Sequence, residues 1–148
     1  MTVFITNSEA AAYLNNRFTG GATLTNAELY LGLTTASPGG AGSFTNEPTT
    51  AGGYARIAIG ATGTTKCAAA TALVIMNGNG AITMATSTDV WSTTTTPLTY
   101  WFIATSGTRG AGTMLFFGLL SSSITVNAAN LAPSFATSQL SLTLQSGV

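Results

Sequence analysis

The sequence predicts an all-β fold, a β-sandwich or jelly roll of about eight short strands preceded by one short helix, in a single domain spanning residues 1–148. Three observations lead there. Eight short apolar runs follow residue 28, and several alternate with a period of two. Clusters of Gly, Pro, Asn and Ser separate them, the punctuation of strands joined by turns. Charged residues make up only 5% of the chain, against about 25% in an ordinary soluble domain, and 28 Thr, 13 Ser and 17 Gly stand in their place.

Residues 6–19 form the helix. Thr6 and Glu9 stand at capping-box spacing, Ala10, Leu14 and Phe18 recur at i, i+4 and i+8, and a Gly-Gly pair ends the pattern. Such an apolar stripe is expected either to lie as a lid on the chain's own sheet or to reach a neighbouring subunit. The strands then read, in order, 28–35, 54–60, 71–76, 81–86, 98–105, 113–120, 123–126 and 140–145, so that the β-sandwich covers 28–145. Residues 36–53 are too rich in turn formers for regular structure and make a long loop, which is expected to be mobile or held by a partner. The two Asn-Gly steps at 77–80 predict a tight hairpin between the runs at 71–76 and 81–86. Thr-rich residues 92–97 end at Pro97 and read as an edge or connecting segment.

Several function classes fall away. Net charge is zero and Lys and Arg total four, so nothing gathers phosphates, and nucleic acid and anionic membranes are excluded as partners. There is no His, and Cys67 is the only cysteine, which leaves no disulfide and no zinc-type ligand cluster. Cys67 reads as a small buried filler. Without His, a nucleophile would need Lys66 or one of Glu9, Glu28, Glu47 and Asp89 as its base, and no local motif pairs them. The Gly-rich stretches lack the Lys-Ser/Thr of a phosphate loop. The expectation is a protein that is no enzyme and carries no cofactor or metal. The N-terminal segment has no basic-then-apolar leader pattern, which points to synthesis in a cytoplasm. A neutral surface offers little protection against association, so the chain is expected to work in an assembly.

The aromatic run Tyr100, Trp101 and Phe102, with Phe116 and Phe117 a hairpin away and Trp91 upstream, reads as core packing or as the seam between subunits. A sugar-stacking platform is the competing reading of the same residues.

The order of segments resembles a family of small tailed-phage structural proteins, some tail-fibre-like and some head decoration (cement) proteins. The resemblance rests on Glu47, then Gly52, Gly53, Tyr54, Ala55 and Arg56, then Trp91 and a strand pair joined by a Gly-containing turn and closed by residues 124–129. It implies a β-rich virion component, sitting on the outer capsid surface as a homotrimer and binding the major capsid protein where shell subunits meet. A receptor-binding or tail-fibre module touching host glycan is the alternative. In that context Gly52 and Gly53 permit positive φ, and a tight reversal can bring Arg56 back to Glu47 as a structural clip with Tyr54 beside it. A contact from Arg56 to an acidic group of the capsid is the competing reading. The helix end and the 36–53 loop are expected to make the partner contacts.

Overall fold

The computed structural model describes residues 3–19, 28–59, 66 and 74–143. The elements run β1 (Val3–Ile5), α1 (Asn7–Thr19), β2 (Tyr30–Thr34), β3 (Ile57–Ala58), β4 (Val74–Met76), β5 (Ile82–Thr83), β6 (Leu98–Ala104), β7 (Met114–Ile124), β8 (Ser134–Phe135) and β9 (Ser141–Thr143). Five strands form one antiparallel sheet in the order β1-β7-β6-β2-β3, and two short ladders, β4-β9 and β5-β8, complete the fold. It is all-β and sandwich-like, with the one helix expected.

Period-two alternation along β6 divides the core. Trp101 and Ile103 join Leu31, Leu33 and Leu98 in the larger cluster, where Ile82 and Met84 from around β5 and Phe135 from β8 pack against them. Phe102 and Ala104 join Met114 and Phe117 in a smaller cluster, capped by Phe44 of the long loop. A register shift between Leu98 and Tyr100 accounts for Leu98 sharing a cluster with Trp101 three residues on. Each central aromatic lies over a cross-strand glycine. Phe102 pairs with Gly32, where a Cβ would stand 2.1 Å from the ring, and Trp101 pairs with Gly118 at 2.7 Å. The rings fill space that side chains there would occupy, and this fixes the register of β2, β6 and β7.

Several expectations change. The runs at 113–120 and 123–126 are one strand, β7, because Ser121–Ser123 lie exposed in extended backbone and Leu98 still pairs with Ile124. β1 and β8 are strands that the alternation did not mark, each three residues or fewer. Residues 77–80 turn, but not as a hairpin, since β4 pairs with β9 and β5 with β8. Asn77 is the reason. Its buried side chain donates from Nδ2 to the Ala136 carbonyl at 2.9 Å and accepts the Leu140 N–H at 3.0 Å, tying this turn to the C-terminal segment. Residues 92–97 connect strands without pairing. Residues 71–73, 144–145 and Cys67, to which readings above apply, lie outside the described residues.

The long loop carries hydrogen bonds of its own. Main-chain bonds close it from Ser43 to Pro38 at 2.9 Å, Thr35 to Asn46 at 3.1 Å and Glu47 to Phe44 at 3.1 Å. The helix runs from Asn7 to Thr19. Thr6 caps it, with its hydroxyl accepting the Glu9 N–H at 3.4 Å and donating to the Met114 carbonyl at 2.6 Å. The helix does not close over the sheet, because Leu14 and Phe18 are exposed while the small Ala10 and Ala12 are half-buried.

Candidate functional site

Arg56 enters the fold through a turn that two glycines make for different reasons. A single 3-10 turn at Thr50–Gly52 ends at Gly53, whose φ of 76° is left-handed and costs a glycine little. Gly52 has no positive φ; it is a glycine because Trp91 and the Val90 carbonyl leave no room, a Cβ meeting them at 2.9 and 3.0 Å. The sequence reading that gave both glycines positive φ is corrected on this point. Trp91 completes the turn by donating from Nε1 to the Gly52 carbonyl at 2.6 Å.

From there Arg56 projects into a buried ion pair. Its Nε and Nη2 donate to the two carboxylate oxygens of Glu47 at 2.7 and 2.8 Å, and both side chains are fully buried. Nη1 donates to the main-chain carbonyls of Ser106 at 2.6 Å and Ala111 at 2.9 Å, in the turn between β6 and β7. The guanidinium plane lies near the rings of Phe44 and Phe102, at 4.4 and 5.0 Å from their centroids. Glu47 Oε2 also accepts the Gly110 N–H at 3.0 Å. Among the described residues no buried side-chain nitrogen or oxygen lacks a partner.

Arg109 is a member of this node that the sequence reading missed. It donates from Nε to the Pro48 carbonyl at 2.6 Å and from Nη2 to the Glu47 carbonyl at 2.9 Å. The available signal was a lone basic residue inside the glycine-rich turn at 106–112, in a chain with four Lys and Arg in all. Tyr54 stands beside the node, edge-on to Trp91 at 5.3 Å, and its hydroxyl accepts the Leu33 N–H at 2.9 Å. Burial first, and the Glu47 carboxylate second, push the Tyr54 phenol well above its ordinary value of 10.0.

Chemically the arrangement is spent on itself. The ion pair is closed to solvent, its hydrogen-bonding positions are filled by main chain, and no face of it is presented to a ligand. Of the aromatic residues singled out above, Trp91, Trp101, Phe102 and Phe117 are buried, while Tyr100 and Phe116 are half-buried. Those four belong to the core. Among the described residues no group of His, Cys, Asp and Glu is placed to hold a metal ion, and no helix is long and apolar enough to cross a membrane.

The match to known proteins covers nearly all of these elements. A family model described as Podophage GP4 fiber I protein gp80 matches residues 5–143. The chain belongs to this family. The gp80 family is a phage structural family, and membership gives the chain a virion structural role. Glu47, Arg56, Arg109 and the strands they tie together all fall inside the matched gp80 segment. Among curated proteins, none matches the chain.

Proposed function

We propose that the chain is a structural subunit of a virion fibre, working through contact surface and not through chemistry. The observation that carries this is the family match across residues 5–143 to a protein described as a fibre component. The geometry supports it. The most conspicuous charges are buried against each other, and the long loop is fixed by the protein's own interior, as suits a part that must present a constant shape. In this reading the Glu47–Arg56 pair is an internal clip and not a contact to a partner, and the partners are neighbouring virion subunits, copies of the chain included.

Our second reading is a head decoration role, in which the same surfaces bind the major capsid protein. Gold labelling of particles that carry an epitope tag on this chain separates the two. Label confined to fibres is the expected result. Label spread over the head would overturn the fibre reading and favour decoration.

A further inference from the structure

The two Asn-Gly steps at 77–80 share one local chemistry and sit in opposite settings. In such a step the main-chain nitrogen of the glycine can attack the side-chain carbonyl carbon of the asparagine, because no Cβ shields it. Asn77 is 2% exposed and is gripped at both ends of its side chain. Its Nδ2 donates to the Ala136 carbonyl at 2.9 Å and to those of Gly80 and Phe135 at 3.4 and 3.5 Å, while Oδ1 accepts the Leu140 N–H at 3.0 Å. An acid in place of this amide would set an oxygen against those carbonyls, so both the attack and its product are opposed.

Asn79 lies exposed on the same turn. The attacking nitrogen, on Gly80, donates to the Asn77 carbonyl at 3.5 Å, the outer limit of a hydrogen bond, so little holds its proton. Gly80 has a φ of 148°, a conformation that a side chain would strain, and the fold thereby keeps the least shielding residue after Asn79. Lys66 adds a charge. Its Nζ stands 3.7 Å from the point that a Cβ on Gly80 would occupy, close enough to favour negative charge developing at the Gly80 nitrogen. We infer that Asn79 is a self-modification site: the folded chain converts it to aspartate and isoaspartate, spares Asn77, and is helped by the Lys66 charge.

The conversion needs only water. The Gly80 nitrogen gives up its proton to solvent and bonds to Asn79 Cγ, the Cγ–Nδ2 bond breaks, and the amide leaves as ammonia, closing a succinimide ring. Water then adds to one of the two ring carbonyls. Opening at the side-chain carbonyl leaves aspartate, and opening at the main-chain carbonyl leaves isoaspartate, with the main chain routed through the side chain. Either product adds one carboxylate to the four in the sequence and lowers the net charge from zero by one, a surface mark of age that anything touching this turn would meet.

Purified protein aged in mildly alkaline buffer, native and in urea, is read by peptide mapping with fragmentation, and isoaspartate by enzymatic methylation of its carboxyl group. In the native chain Asn79 is expected to convert at least about ten times faster than Asn77, where an opening of the turn must come first, and in urea the two are expected to convert at similar rates. Lys66→Met is expected to slow the native step about threefold, the effect of one nearby charge screened by water. Asn79→Gln is expected to abolish it, since the longer side chain closes a less favourable ring. A native Asn79 that stays an amide while the chain in urea converts would overturn the inference, as would equal conversion at both positions in the native chain. An unchanged rate in Lys66→Met would overturn the share given to the lysine.

Discussion

Replacing Arg56 by Met tests the clip at its centre. The substitution keeps an apolar stem between Phe44 and Phe102 and removes the guanidinium. Glu47, 3% exposed, then keeps the Gly110 N–H but holds a buried charge without a counter-ion. Breaking one half of a buried pair costs about 3–5 kcal/mol. The carbonyls of Ser106 and Ala111 also lose their donor, at about 1 kcal/mol each where water does not reach them. These losses overlap, since a relaxed turn admits water to all three groups, and the expected total is about 4–5 kcal/mol. At this chain length that lowers the thermal midpoint by about 4 °C per kcal/mol, or roughly 16–20 °C. Urea unfolding of the purified protein at pH 7 reads the free energy directly. Arg56→Lys is expected to fall between, because a single ammonium cannot reproduce the two parallel bonds to Glu47. Adding Glu47→Gln to Arg56→Met is expected to return part of the loss by removing the orphaned charge. A loss below about 1 kcal/mol in Arg56→Met, the value of an exposed ion pair, would refute the reasoning.

Two further outcomes follow from the same packing. Gly32→Ala places a methyl 2.1 Å from Phe102 Cζ, and because backbone pairing on both sides stops β2 from moving away, a loss of about 1–3 kcal/mol is expected, read by denaturant unfolding. An unchanged midpoint would mean that Phe102 does not seat on Gly32. The raised Tyr54 phenol gives a pH dependence of definite sign. Its contribution is fully present below pH 10.0, where both states keep the proton, and is lost above it, as the unfolded chain ionises and the folded one does not. The expected slope from this group is about 1.4 kcal/mol per pH unit above 10, and Tyr54→Phe is expected to flatten the curve measured by urea unfolding between pH 8 and 11.5.

The all-β class was legible because short apolar runs bounded by turn formers suit strands buried on both faces, and β2, β6 and the first half of β7 are such runs. Pairing was not. Asn-Gly at 77–80 has the local chemistry of a hairpin, but the decision belongs to Asn77, whose side chain reaches residues about sixty positions away. The helix was legible from its cap and its period, yet the direction of its apolar stripe was not, since periodicity identifies a face without saying what lies opposite. At the node, Glu47 and Arg56 stand on either side of a glycine pair, a local pattern that the sequence displays. Arg109 comes from a distant turn and bonds to carbonyls, which every residue possesses, so no sequence signal marks its target.

That last point reaches past stability. Arg56 and Arg109 grip the 44–56 and 105–112 segments largely by main-chain oxygens at Glu47, Pro48, Ser106 and Ala111. Outward-facing positions such as Thr49 and Thr108 owe little of their path to their own side chains. Their identities are open to drift while the contour stays put, which makes this end of the molecule a mount on which the exterior can be rewritten, residue by residue, as whatever it touches evolves.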